Sequence, residues 1–437
     1  MALLLSGILF FTPRDHFWQL IGLYAGAFFV YFYLIWPDLF SDGQGNRIPH
    51  WQVAALLLRL LALFALPALS DDYFRFVWDG RLLAQGINPF LELPTAYMEN
   101  PERAAGMGLS AQLFEGMNSP RYYTVYPPVL QAVFYLSARL APESVYGAVL
   151  VMKATVFLAE AGTLWLMRRL LEKAKLAPGL AALYALNPFV IVELCGNLHF
   201  EALMIFFLLL TVWLLVQGKW LLAALPFALA ISSKLLPVML LPLLLRRLGF
   251  FRTAWFSGLA MGTTALLFLP FYSPDALAHL FESVRLYYQS FEFNASLYYL
   301  IRWLGYQVKG YNIIQTAGIY LAVAKVVGIL LIALLEPRPT LQNLPRSMMW
   351  AFALYFSLAS IVHPWYITTL LALAAFTRYR FALVWTLLLP LSYFTYRSTA
   401  YEENLLLIAG VYLLVYGVMA YEWMRGYQNK QPASSAD

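Results

Sequence analysis

Three aspartates (Asp71, Asp72, Asp79) and two arginines (Arg75, Arg81) fall inside one short stretch, "LSDDYFRFVWDGRLLAQGINPFLELP" (69–94), directly after a largely apolar run. A carboxylate placed there can take a proton from an attacking hydroxyl, and a guanidinium beside it can hold an anion. Ser70 or Asp71 supplies a helix cap, with acids in the first turn where the helix dipole favours them. Gly86 then ends the helix before Asn88-Pro89. Spacings of three, four and seven put Asp72, Arg75 or Phe76, and Asp79 on one face. The plainer alternative stays open: Asp71 and Asp72 only cap, while Asp79 pairs with Arg75.

Other chemistry-bearing groups are scattered along the chain. Lys234 stands between "LPFALAIS" and "LLPVMLLPLLL"; an ionisable group between apolar segments is costly and usually has a role, here a cation for a phosphate. Its alternative is snorkelling to the interface. His199 and Glu201 follow Gly196-Asn197, and His363 stands in "VHPWY". The two histidines could hold a phosphate or position a hydroxyl, or be structural. Neither HExxH nor a Cys pair supports zinc. Trp78, Tyr122, Tyr123, Tyr126, Tyr298, Tyr299, Trp365 and Tyr366 read mostly as an aromatic belt, some of them free to stack on a sugar. Asn294 lies in "FEFNAS", a glycosylation sequon only in a host that uses it.

These groups must be positioned by membrane helices. The chain has 437 residues, 62% hydrophobic and 12% charged, with mean hydropathy +0.66. Soluble chains carry about 25% charge, and apolar runs recur here near the ~20 residues that cross a bilayer. The water-soluble class is excluded. The lone Cys195 rules out an internal disulfide. "MALLLSGILFF" lacks a positive n-region and reads as a retained segment. Net charge +6 reads as topology, with no nucleic-acid partner implied.

Short basic loops mark the cytoplasmic side: Arg168-Arg169 with Lys173 and Lys175, Arg246-Arg247 with Arg252, Arg338 with Arg346, Arg378 with Arg380, and the tail with Arg425 and Lys430. Each interval between them holds an even number of apolar segments, at roughly 177–194 and 198–216, 220–232 and 235–245, 253–271 and 311–335, 347–361 and 364–377, and 381–396 and 404–424. The opposite ends carry "CGNLHFE", "SSKLLP", "FEFNASLYY", "HPWY" and "YRSTAYEEN", so the unusual polar motifs share the outer side. "YPPVLQAVFYLSARL" (126–140) is predicted as a surface helix started by Pro127-Pro128, with another near 275–290. The expected fold is an all-α multi-pass membrane protein of about 12–14 spans. One domain covers 1–425, including a hairpin at 1–36 and an outer cap at about 70–145, and a polar cytoplasmic tail covers 426–437.

Together these residues resemble the GT-C glycosyltransferases, in the bacterial mannosyltransferase-like branch related to the GPI mannosyltransferases. "SDDYFRFVWDGRLLAQGINPF" is similar to that group's first outer loop, and "YTVYPPVLQAVFYL" to its surface helix. "ALNPFVIVELCGNLHFEAL", "SSKLLPVMLLPLLL" and "SIVHPWY" resemble its later motifs; the likeness runs from about 65 to 375. It implies a GT-C-like bundle in the cell membrane, with its site facing outward. A hexose, mannose by family default, would pass with inversion from a polyprenyl-phosphate donor to a lipid or glycan acceptor. It implies Asp72 as general base, with Asp71 and Asp79 behind it. Lys234, Arg75, His199, His363 and Arg81 would serve the donor phosphate, and Glu201, Asn197, Trp78, Asn294 and Tyr366 the substrates. No cofactor is required, although Asp71-Asp72 leaves room for a divalent cation beside substrate phosphate. A transporter or flippase is the main alternative, against which stand the one-sided motifs and the lack of a visible inverted repeat. A ligase using a diphosphate-linked donor would call for more arginines.

Overall fold

A computed structural model describes residues 1–40 and 51–428. The described residues are mostly helical, with no strand among them and only an isolated bridge between Phe293 and Ile361. Among the described residues five helices are long and apolar enough to cross a membrane: Phe17–Ile35, Val145–Lys173, Phe250–Phe271, Ile314–Leu335 and Leu405–Arg425. Pro178–Ala185 and Pro188–Gly196 form a sixth candidate, bent by 55°. The other segments counted in the sequence are short or broken. Trp220–Ser233 is followed by a 3-10 run, Leu236–Leu244, and Phe381–Leu388 by another, Leu389–Arg397. Pro237, Pro242 and Pro390 remove backbone donors at these places, which explains the tighter, interrupted winding.

Interrupted backbone at membrane depth needs partners from within the protein. Buried side chains provide them. Tyr31 donates to the Leu183 carbonyl at 2.6 Å. Asn187 caps the Phe189 and Val190 amides at 3.0 and 3.2 Å. Arg59 pairs with Glu160 at 2.8 Å and donates to the Ala185 carbonyl, while Tyr184 donates to the other Glu160 oxygen. These bonds fix helix Trp51–Leu63, helix Val145–Lys173 and the bent pair against one another. Arg59 and Glu160 are both fully buried.

Between Leu63 and Val145 lies the cap, built from Asp72–Ala84, three short helices and Pro128–Leu140. Pro128 starts the last of these, as its fixed φ favours. Phe76 stacks on Phe134 with centroids 4.8 Å apart, and Phe200 from the bundle packs on both. A Cβ on Gly80 would lie 2.3 Å from the Phe134 carbonyl oxygen, so glycine there permits the close approach. Helix Pro274–Gln289 is capped by Ser273 and tied to the cap by Ser283 on the Tyr123 carbonyl and by His279 stacked on Tyr123 at 3.7 Å. At the other end, helix Leu405–Gln428 runs into the region expected as tail; residues 429–437 of that tail lie outside the described residues.

Candidate active site

The polar motifs, far apart in sequence, converge on one cavity of about 740 Å³, within the usual range for ligand sites. Asp71 and Asp72, His199 and Glu201, Lys234, Glu292, His363 and Tyr366 all line it. Aliphatic side chains complete the lining: Val238 and Met239 of the 3-10 run and Ala322, Val326 and Ile329 of helix Ile314–Leu335, with Lys325 among them.

Two turns of backbone set up the polar wall. The first is Leu69–Asp72. The Leu69 amide donates to Asn197 Oδ1 at 3.1 Å, and the Lys153 ammonium bridges the carbonyls of Ala62 (3.0 Å), Ala65 and Gly196 (2.7 Å). The exit of helix Trp51–Leu63 is thereby fastened to the second turn, "GNLHFE". That turn follows a π-helical stretch, Ile191–Gly196, and Leu198 sits in left-handed backbone at φ 61°. Such features concentrate at functional sites. The turn delivers His199 and Glu201 to the cavity.

Helix Asp72–Ala84 starts at Asp71 as N-cap, without a side-chain cap bond. Asp71 instead pairs with Arg14 at 2.7 Å, and Arg14 lies 4.6 Å from the Tyr396 ring centroid. Asp72 accepts from Asn118 at 2.9 Å, and among the described residues it makes no ion pair. Lys234 pairs with Glu201 and lies 4.2 Å from the Tyr366 ring centroid. Burial pushes the Lys234 ammonium below its ordinary pKa, and the Asp72 charge opposes that shift. His363 is pushed down to about 3 by burial, then by Lys234 and His199, so it is neutral at physiological pH.

Several expected site residues sit elsewhere. Asp79, two turns along the helix, is fully buried and off the cavity. Arg75 Nε donates to its Oδ1 at 2.8 Å, and Thr124 and Gln131 donate to its Oδ2 at 2.6 and 3.2 Å. The plainer reading of Arg75 with Asp79 is thus the observed geometry. Arg75 touches the cavity wall, yet its guanidinium is engaged by Asp79 and by the Ser119 and Tyr122 carbonyls. Arg81 donates to the Gly108 carbonyl, and Trp78 is buried under Tyr97 and Phe114; neither lines the cavity. Asn197 is a tie between turns. Asn294 Nδ2 donates to the Val362 carbonyl at 3.2 Å, and Asn294 does not line the cavity. Burial set by partners distant in sequence moved all five.

Arg14, Tyr396, Glu292 and Lys325 line the cavity without having been candidates. Arg14 carried a signal, a charged Arg14-Asp15 pair in the turn of the N-terminal hairpin. Glu292 is held by Arg302, Tyr298 and Asn312. Among the described residues no group of three His, Cys, Asp or Glu comes together as a metal-binding set.

The fold and cavity together define a helical bundle, with helices long and apolar enough to cross a membrane, around a polar chamber. Residues 9–248 match the family model of alpha-(1->6)-mannopyranosyltransferase, N-terminal domain. That match spans more than half of the chain, and the chain belongs to this family, the MptA/B mannosyltransferases; it is a glycosyltransferase. No curated protein matches it.

Proposed function

We propose that this GT-C-like enzyme transfers mannose, with inversion, from a polyprenyl-phosphate donor to a lipid or glycan acceptor at the outer face of the cell membrane. The observation that carries the reading is the cavity itself: Asp72, Lys234 and two histidines line one chamber together with aliphatic side chains. A polyprenyl chain suits the wall formed by Val238, Met239, Val326 and Ile329. The phosphate suits Lys234, whose charge Glu201 balances when no substrate is present. Positive charge there stabilises the phosphate as the glycosidic bond breaks. Asp72, with no ion pair of its own, takes the proton from the acceptor hydroxyl that attacks the anomeric carbon. The lipid phosphate leaves as an anion, so no general acid is required. Asp71, held by Arg14, is the positioning neighbour. One membrane domain with a cap at about 70–145 and a cytoplasmic C-terminus fits the placement of basic loops.

The test uses the purified protein in liposomes with a membrane glycan extract. Radiolabelled mannose is offered on polyprenyl phosphate, on a nucleoside diphosphate and on polyprenyl diphosphate, each with and without EDTA. Transfer from the monophosphate lipid alone is expected. Transfer from the nucleotide sugar would overturn the donor assignment. Transfer from the diphosphate lipid would favour the ligase reading. Loss with EDTA would place a divalent cation beside Asp72 and the phosphate.

A further inference from the structure

One feature of the cavity wall is not used by the phosphate or the base. The His199 ring stacks on Trp365 with centroids 3.7 Å apart and planes 14° apart, and Trp365 stacks on His363 at 4.6 Å and 3°. The result is a three-ring slab, His199–Trp365–His363, with all three residues on the cavity. Tyr366 meets His363 edge-on at 5.3 Å and holds the slab from the Lys234 side.

Each histidine in the slab has one ring nitrogen shielded from solvent and without a hydrogen-bond partner: Nε2 of His199 and Nδ1 of His363. The His199 ring is oriented. Its Nδ1 lies 2.9 Å from the Glu193 carbonyl oxygen and 3.4 Å from a Glu193 carboxylate oxygen. Both are acceptors, so Nδ1 carries the hydrogen, and Nε2 is the ring nitrogen left without a partner. Glu193 is in turn held by Tyr393 and Asn197. Buried polar atoms without partners are uncommon and call for an explanation. Two of them, in neighbouring rings of one cavity wall, call for a ligand group that pairs with a ring nitrogen.

We infer that the His199–Trp365–His363 slab is a sugar-reading wall, in which His199 Nε2 and His363 Nδ1 hydrogen-bond hydroxyls of a hexose and so set sugar specificity. A hydroxyl both donates and accepts, so it satisfies a ring nitrogen whether or not that nitrogen carries hydrogen, whereas a phosphate oxygen accepts only and fits just a nitrogen that carries one. The anion has its own cation in Lys234. The sugar hydroxyls could belong to the donor mannose or to a mannose of the acceptor, since both must approach the same chamber. The wall assigns His199 and His363 to the sugar and not to the phosphate. A site built around a hydroxyl rejects an analogue lacking it far more strongly than an apolar pocket rejects a small change in size.

The inference rests on the proposed reaction, and the experiment separates the two. Deoxy analogues of polyprenyl-phosphate mannose (2-, 3-, 4- and 6-deoxy) form one arm. The same deoxy series in a short mannoside acceptor forms the other. Both are run with native protein, His199→Phe and His363→Phe, variants that keep a flat ring against Trp365. In the native protein at least one deoxy position is expected to lower kcat/KM about tenfold or more. In His199→Phe or His363→Phe that one penalty shrinks to about twofold while the penalties at other positions persist. The arm in which this happens identifies the donor or the acceptor sugar. Penalties unchanged in both variants would overturn the inference, as would a native protein indifferent to every deoxy position, a result that needs no folded variant. Failure of the native protein to use any polyprenyl-phosphate hexose would instead contradict the reaction on which the inference rests.

Discussion

Replacing Asp79 with asparagine separates structural from chemical work in the acidic helix. The change keeps shape and removes one charge. Asp79 is fully buried and Arg75 is 2% exposed, so the guanidinium would remain in place without its counter-charge. Asp79 also accepts from Thr124 and Gln131, and the asparagine amide can replace only part of this set. Breaking a buried pair by removing one partner costs about 3–5 kcal/mol. At 1.4 kcal/mol per tenfold change, local opening of the cap would rise by roughly two to three and a half orders of magnitude. Hydrogen exchange of the amides in helix Asp72–Ala84, together with unfolding temperature in detergent, reads this directly. The double variant Arg75→Met/Asp79→Leu leaves no buried charge and should recover most of the lost stability, because a packed apolar pair often matches a buried ion pair. Protein carrying Asp79→Asn that exchanges and unfolds like the native chain, yet transfers no sugar, would refute the reasoning and return Asp79 to the chemistry.

Three further outcomes follow from single contacts. Gly80→Ala should destabilise by about 1–3 kcal/mol, because the new methyl meets the Phe134 carbonyl and forces the cap helices apart; an exposed helix position would gain about 1 kcal/mol instead, so the sign in a thermal melt decides. Lys153→Met should cost about 3 kcal/mol or more by leaving three carbonyls without their shared ammonium. A variant melting like the native chain would show that this tie does not hold the two turns. His363 has a folded pKa pushed down to about 3, against about 6.5 unfolded. Its contribution to stability is therefore full above pH 6.5 and falls as pH drops toward 3. His363→Phe should lose less stability than the native chain between pH 7 and pH 4.5, and equal losses would contradict a histidine kept neutral by its surroundings.

The all-helical membrane class and the helices begun at Pro128 and near 275 were legible in the sequence because each depends on local pattern. Pro128 and Pro274 start the helices at the places their types suggest, and the i, i+4 spacing of Arg75 and Asp79 is their observed pairing. What was not legible depends on partners far along the chain. Nothing local says that Arg14 will hold Asp71, that Asn197 will cap the Leu69 amide, or that Lys153 will gather carbonyls from two separate turns. Trp78 and Arg81 look like site residues for the same reason: helical spacing gives a face, and only tertiary packing says what covers it. Continuous apolar runs also hid breaks. The run at 235–245 reads as one span, but two prolines wind it as a 3-10 segment that forms part of the cavity wall.

The most direct test of the central claim compares sugar transfer by native protein and Asp72→Asn, with polyprenyl-phosphate mannose as donor and rates normalised to folded protein. Losing a general base lowers turnover by about 10²–10⁴-fold. A drop of that size, with donor binding and unfolding temperature near native values, is the predicted result. Transfer at the native rate would contradict Asp72 as the base, and with it the mechanism drawn from this cavity.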